Sequence, residues 1–119
     1  MTWRLSKHAE RDLAAILRES RDTFGPAQAT RYAAMMARAF ELAAEEPERP
    51  GSQPCPDISR STRSLHVSLA SRRRRSASHI VYYRVPAAGE STVLILRVLH
   101  ERMEPNLKIR VAMDDLTRP

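Results

Sequence analysis

Residues 79–100 read HIVYYRVPAAGESTVLILRVLH, and this stretch decides the fold. Residues 79–85 and 91–99 are rich in β-branched and aromatic side chains, which favours two strands. Residues 86–90 form the turn between them, and Gly89 in this turn can adopt a positive φ. Residues 93–96 are apolar on both faces. We therefore expect a central strand that is covered on one side by helices and on the other by a partner or by the C-terminal tail.

The segment upstream of this pair has the same period of two. Leu65, Val67 and Leu69 alternate with polar or small residues, which predicts a half-buried strand over residues 65–70. Residues 72–78 are too charged and serine-rich to be buried, so a protruding loop is expected there. Residues 46–64 have no period and are rich in Pro, Ser, Arg, Gly and Asp, which is typical of a connection over the surface.

The N-terminal half predicts a short strand followed by a helical hairpin. Trp3 and Leu5 alternate with polar residues, which indicates the strand. Ser6 is typical of a helix N-cap, Gly25 can end the first helix, and Pro26 fits the first turn of the second. Each helix has an apolar stripe at steps of three and four. These stripes are Leu13, Ile16, Leu17 and Phe24 in the first helix, and Ala29, Tyr32, Ala33, Met36, Phe40 and Ala43 in the second.

The predicted order is strand, helix, helix, strand, strand, strand. It indicates an α+β fold in which the N-terminal strand and the helical hairpin pack on an antiparallel sheet. With 119 residues, of which 42% are apolar, we expect one domain over residues 1–119. Residues 104–119 are predicted as a C-terminal tail without firm structure, in which Val111, Met113 and Leu116 could dock weakly.

The formal net charge of +6 is concentrated in one segment. Residues 58–89 contain seven arginines and no acid, whereas the rest of the chain has thirteen basic and fourteen acidic residues. Such a segment attracts an acidic protein or a phosphate backbone. The sequence has no apolar run long enough for a membrane helix and no apolar N-terminal stretch, so we expect a cytoplasmic protein without membrane contact. Cys55 is the single cysteine, and we expect no disulfide, metal or cofactor.

Four segments have a recognisable order and spacing. Residues 5–13 read LSKHAERDL and residues 24–29 read FGPAQA, while HIVYYR stands at 79–84 and ILRVLHERM at 95–103. Together they resemble ParE-like toxins of the RelE/ParE superfamily, whose strands follow H-x-[IV]-[FY]-Y-R and I-[LI]-R-[IV]-L-H-x-x-M. The resemblance runs from about Leu5 to Met103.

This resemblance implies the toxin of a type II toxin–antitoxin pair. Such a toxin usually poisons DNA gyrase by binding and stabilising its cleaved-DNA complex, and a ParD-like antitoxin with an acidic or amphipathic C-terminal segment neutralises it. The residues expected to contact the target or the antitoxin are Arg72, Arg73, Arg74, Arg75, Arg84, Arg97 and Tyr83. In the family the chain from Arg63 to His79 usually takes a shorter turn. The arginine run is therefore either a clamp on an acidic partner or a solvated loop.

Two other functions stay open. The RelE branch shares the fold and cuts messenger RNA on the ribosome, for which Arg63, Tyr83, Arg97 and His100 would be the catalytic candidates. Because the last strand here lacks the tyrosine that ends it in RelE-like chains, we favour a non-enzymatic poison. The third possibility is a non-toxic, basic nucleic-acid-binding module, although no known RNA-binding signature is present.

Several polar residues have a structural interpretation beside the functional one. Arg97 on its apolar strand must reach an edge or an acid, so a structural salt bridge is expected. His79 and His100 are interpreted as hydrogen-bonded structural histidines, and His8 with Asp12 as a surface polar pair. The neighbours Tyr82 and Tyr83 point to opposite faces, so one should be buried under the helices and the other accessible. Met35, Met36 and Phe40 are predicted to belong to the core.

Overall fold

The computed structural model describes residues 2–71 and 77–117 of the chain. Its elements in chain order are β1 (Thr2–Leu5), α1 (Lys7–Phe24), α2 (Pro26–Glu45), β2 (Gln53–Pro54), β3 (Thr62–His66), β4 (His79–Arg84), β5 (Thr92–His100) and α3 (Asn106–Thr117). A short 3-10 helix, Val67–Ala70, follows β3. The predicted α+β fold with a helical hairpin is present.

The five strands form one sheet in the order β1-β5-β4-β3-β2. Strands β3 to β5 pair antiparallel, as expected, whereas β1 adds to the edge of β5 in parallel, with Trp3 opposite Val93. The sheet is therefore mixed. The β1 strand runs beside β5 as far as Leu5, where the chain leaves the sheet and enters α1. The interpretation of residues 46–64 as a connection without strands is wrong in part, because β2 and the start of β3 lie there and pair antiparallel.

Strand β5 lies in the centre of the molecule because both of its faces are apolar. Val93 and Ile95 pack against the helical hairpin, whereas Leu94 and Leu96 pack on the opposite face with Ile109 of α3. This confirms the prediction of a central strand and shows that the C-terminal segment covers its second face. The core on the hairpin side also contains Met36 and Phe40, with Met35 packed against it, as predicted.

The hairpin begins and turns where the sequence indicated. Ser6 caps α1 by accepting the N–H of Ala9. Its hydroxyl also donates to the carbonyl of Leu96 at 2.8 Å, which fixes the helix start to β5. Gly25, with φ of 93°, ends α1, and Pro26 occupies the first turn of α2.

Three further local predictions are wrong. The strand predicted over 65–70 ends at His66, because the His66 side chain accepts the N–H of Ser68 and starts the 3-10 turn. Phe24 was placed on an apolar stripe, but its side chain is 72% exposed. Residues 106–117 form α3, although no firm structure was predicted after Met103. Ile109 and Ala112 of α3 are buried, and Met113 and Leu116 pack against the same cluster.

The expected loop over residues 72–78 lies mostly outside the described residues. Ala77 and Ser78, which precede β4, are described and half-buried. Among the described helices, none combines the length and apolar character that crossing a membrane requires.

Candidate functional site

Arg97 and Asp12 form a bidentate ion pair at the edge of β5. Nε and Nη2 of Arg97 donate to the two carboxylate oxygens of Asp12, each at 2.7 Å, and the side chains are only 15% and 12% exposed. Asp12 also accepts the backbone N–H of Val98 at 3.0 Å, beyond the end of β1. The predicted structural salt bridge of Arg97 is confirmed. Asp12 is not part of a surface pair with His8, because it completes the hydrogen bonding of a strand edge.

The two tyrosines of β4 do point to opposite faces, but neither is accessible. Tyr83 is buried under the hairpin, and its hydroxyl donates to the carbonyl of Pro47 at 2.5 Å. Tyr82 is buried on the other face, in the cluster that contains Ile109 of α3. Burial raises the pKa of both phenols. The expectation of one accessible tyrosine is wrong because α3 covers that face.

Arg63 and Arg84 lie towards the end of the sheet where β4 ends. Arg63 donates from Nε and Nη2 to the hydroxyl of Ser52, at 3.1 and 2.8 Å, and so fixes the connection that follows α2. Arg84 is half-buried at the last position of β4, opposite Thr62 and Leu94. A contact of Tyr83 with a partner would require the core to open, whereas Arg84 retains some exposure.

His100 lies at the other end of the sheet, in an open groove of about 940 Å³ that we call the histidine groove. Its walls are the end of α1, the start of α2 and the sheet end formed by β3, β4 and β5. The groove contains three of the four histidines of the chain. Its lining residues are Ile16, Glu19, Ser20, Thr23, Phe24, Gln28, Tyr32, His66, Ser68, Ala77, Ser78, His79, His100, Glu101 and Arg102.

Two of the three imidazoles have a backbone hydrogen bond that fixes their tautomer. Nδ1 of His66 accepts the N–H of Ser68, so Nε2 carries the proton and donates to Glu101 at 2.8 Å. Nδ1 of His100 accepts the N–H of Arg102 at 3.1 Å, which likewise leaves the proton on Nε2. The hydrogen bond from His66 lowers the pKa of Glu101. This carboxylate therefore stays ionised and is held against β3.

His79 is connected to α2 through a tyrosine. The Tyr32 hydroxyl lies 2.6 Å from Nδ1 of His79 and accepts the N–H of Ser78 at 3.4 Å. Burial raises the pKa of Tyr32, so the hydroxyl keeps its proton and can donate it to Nδ1. Burial, reinforced by the neighbouring His100, lowers the pKa of His79. The ring centroids of His79 and His100 are 5.5 Å apart, with one ring edge towards the other.

The four residues proposed for nuclease chemistry do not come together. Tyr83 lies four residues along β4 from His79, which pairs with His100, so the two ends are about 13 Å apart along the strand. Arg63 pairs with Tyr83 at the far end, and Arg97 is engaged by Asp12. Of the residues proposed as contacts, Arg72, Arg73, Arg74 and Arg75 lie outside the described part of the chain.

Sequence reasoning missed Tyr32, His66 and Glu101 as members of one site. Tyr32 was recognised only as a core position of the second helix, and His66 as the polar side of a strand. The available signal was the strand order, because antiparallel pairing places the end of β3, the start of β4 and the end of β5 side by side. The described residues contain no group of three or more potential ligands that could hold a metal ion.

Comparison with known proteins gives the family. Residues 3–105 match the model of the ParE toxin of the type II toxin–antitoxin system parDE. Toxin ParE1 of Caulobacter vibrioides is 35% identical over 101 residues, which cover 85% of this chain and 90% of that protein. The chain belongs to the ParE toxin family. It is thus a type II toxin of the RelE/ParE superfamily, as its strand motifs indicated.

Solved structures support the ParE-like fold. The chromosomal ParDE system of P. aeruginosa superposes with a TM-score of 0.64 at 18% identity, covering 84% of this chain and 95% of that one. The RelBE2 toxin–antitoxin complex of Mycobacterium tuberculosis gives a TM-score of 0.54 at 27% identity, covering 83% and 95%. The family match ends at residue 105, so α3 lies beyond the matched segment.

Proposed function

We propose that this ParE-family toxin acts in the cytoplasm by binding DNA gyrase and stabilising its cleaved-DNA complex, and that a ParD-like antitoxin neutralises it. The proposal depends chiefly on the family match over residues 3–105. The engagement of Arg63, Tyr83 and Arg97 in contacts within the fold further supports a binding mode of action. A nuclease that used these groups would first have to release them.

The antitoxin is proposed because two similar structures are toxin–antitoxin systems. Its expected chemistry follows from charge, since residues 58–89 contain only basic charged residues. An acidic or amphipathic segment is complementary to such a surface. The proposed contacts with the target or the antitoxin are Arg72, Arg73, Arg74, Arg75 and Arg84, with Arg97 and Tyr83 as positions that would require rearrangement.

The competing function is ribosome-dependent mRNA cleavage. The similarity to the RelBE2 complex favours it, and His100 lines an open groove. However, Nδ1 of His100 already accepts the backbone N–H of Arg102 at 3.1 Å, so this nitrogen is engaged within the fold. Cleavage through Arg63, Tyr83, Arg97 and His100 would therefore need a different arrangement of these four side chains.

The test compares gyrase and ribosome assays on one toxin preparation. We expect inhibition of supercoiling with accumulated cleaved DNA, and intact messenger RNA on programmed ribosomes. Codon-positioned RNA cuts with unaffected gyrase would overturn the proposal in favour of the nuclease. DNA binding without an effect in either assay would favour the non-toxic nucleic-acid module.

A charge-matched pair of variants tests the arginine run. Replacing Arg72, Arg73, Arg74 and Arg75 by Ser should abolish the DNA-dependent part of gyrase inhibition and flatten its salt dependence, by about 0.9 in the logarithmic slope for each lost phosphate contact. The control replaces four exposed helix arginines by Ser and removes the same charge. These control positions are Arg11, Arg18, Arg21 and Arg31. Equal loss in both variants would show that net charge, and not the run, matters.

A further inference from the structure

Two imidazole nitrogens of the histidine groove have no hydrogen-bond partner among the described residues. All three imidazoles accept a hydrogen bond at Nδ1. His66 also donates its Nε2–H to Glu101. Among the described residues, Nε2 of His79 and of His100 has no hydrogen-bond partner. Both rings line the groove, so their Nε2–H groups are available to an acceptor that enters it.

The groove also has an apolar wall on α1. Phe24 is 72% exposed, although it is one of only two phenylalanines in the chain. Ile16, which is also on α1, lines the groove as well. Phe24 stands at the end of α1 and lines the groove together with the three imidazoles. An exposed aromatic next to fixed polar groups is typical of a contact that a partner buries.

We propose that the histidine groove is the docking site for an acidic segment of the antitoxin, with one carboxylate on the imidazoles of His79 and His100 and an adjacent apolar side chain against Phe24. This inference rests on the proposed function, because it takes the antitoxin as the partner. It adds the location of one contact and the chemistry of the segment that makes it.

The charges in the groove favour a peptide carboxylate over a nucleic-acid strand. Glu19 lies on the α1 wall and Glu101 is held in place by His66. A strand would carry one negative charge per nucleotide past both carboxylates, which repels it. A peptide can place a single carboxylate at the sheet end, which Arg102 also lines, and fill the rest of the groove with an apolar side chain.

Docking of a carboxylate should be coupled to proton uptake at His79. Burial and His100 keep the pKa of this imidazole low in the free toxin, and a bound carboxylate would raise that pKa by favouring the charged form. The Tyr32 hydroxyl can then turn and accept the new Nδ1–H. The other titratable or charged groups that act on His79 are Glu19, His66, His100 and Glu101. Affinity for the antitoxin should therefore rise as the pH falls from about 8 to about 6.

The first experiment measures antitoxin affinity by calorimetry in matched variants. The probes are the small protein encoded by the reading frame that adjoins the toxin gene and a synthetic peptide of its most acidic segment. Phe24→Ala removes the apolar wall and should weaken binding about tenfold or more. Leu107→Ala is the control, since Leu107 is 71% exposed on α3 outside the groove, and it should leave affinity unchanged. Both positions are exposed, so both variants should fold.

The second experiment separates proton uptake from simple packing. His79→Gln retains an N–H donor but cannot take up a proton, so it should remove the pH dependence of binding between about pH 6 and about pH 8. His8→Gln is the matched control, because His8 is the one histidine outside the groove and pairs with Asp115 of α3. Its pH dependence should equal that of the wild type.

The outcomes distinguish this inference from the proposed function. If the wild-type toxin does not bind the adjoining protein, the antitoxin assignment fails and the inference fails with it. If the wild type binds and Phe24→Ala and His79→Gln behave like their controls, the groove assignment alone is overturned. If these variants lose gyrase poisoning but keep antitoxin binding, the groove belongs to the target and the inference is likewise overturned.

Discussion

Removal of the Asp12 carboxylate should be among the most damaging single changes outside the apolar core. Asp12→Ala leaves the Arg97 guanidinium without its two 2.7 Å acceptors and the N–H of Val98 without its 3.0 Å acceptor. Breaking a largely buried ion pair on one side costs about 3–5 kcal/mol. A remaining bond from Arg97 to the carbonyl of Lys108 places the expected loss at the lower end, about 3–4 kcal/mol.

The assay is urea unfolding followed by far-ultraviolet circular dichroism, with a thermal melt in parallel. The stability loss corresponds to a decrease of about 12–16 °C in Tm for a chain of this size. A double-mutant cycle compares Asp12→Leu, Arg97→Met and the double variant that combines these two substitutions. The double variant should be more stable than either single variant, because no unpaired charge remains.

The exposed pair of Arg38 with Glu41 and Glu45 on α2 is the internal control. Arg38→Ala should leave the unfolding midpoint nearly unchanged, since solvent screens such pairs. If Asp12→Ala loses less than about 1 kcal/mol, or if the two single changes simply add, the strand-edge role assigned to Asp12 is wrong.

Three further predictions concern the same fold. Tyr83→Phe removes the hydroxyl that donates to Pro47 and should cost about 1–2 kcal/mol in urea unfolding; a loss of toxicity at unchanged stability would support Tyr83 as a contact with the target. Ile109→Ala should cost about 2–5 kcal/mol, and the matched Leu107→Ala almost nothing; equal effects would mean that α3 does not cover the sheet. Since the folded-state pKa of His79 is lowered, its neutral form contributes stability that is present above the unfolded pKa of about 6.5 and is lost as the pH falls below it. His79→Gln should make stability less sensitive to pH in that window, and an unchanged slope would argue against the low pKa.

The hairpin and the central strands could be predicted from sequence because their signals are local. Ser6, Gly25 and Pro26 specify where two helices begin and end through their own backbone preferences. The double-sided apolar run of β5 also predicted that something must cover its second face. The mixed character of the sheet could not be predicted from local signals. The parallel pairing of β1 with β5 depends on where the hairpin returns the chain, which no local pattern encodes.

The residues that were misplaced had their local preference overridden by a distant partner. His66 ends β3 because its imidazole caps the next turn and binds Glu101, which is 35 residues away. From the sequence, Asp12 is interpreted as a surface residue of an amphipathic helix. In the structure it lies beside β5 and accepts the N–H of Val98. The mixed composition of residues 106–117 gives only weak helix periodicity, and α3 becomes stable through the apolar face of β5 that it covers.

The motifs that carry the family resemblance therefore specify the fold more than the function. In HIVYYR, Val81 and Tyr83 pack in the core on the hairpin side. In ILRVLH, Arg97 forms its ion pair with Asp12. These residues would be needed for folding whether the domain binds gyrase or cuts RNA, so their presence does not choose between the two. The choice must lie in residues that the fold does not require. Within the described chain the clearest examples are the exposed Phe24 and the unpaired Nε2 atoms of His79 and His100, which is why variants at these positions separate function from stability better than variants in the motifs.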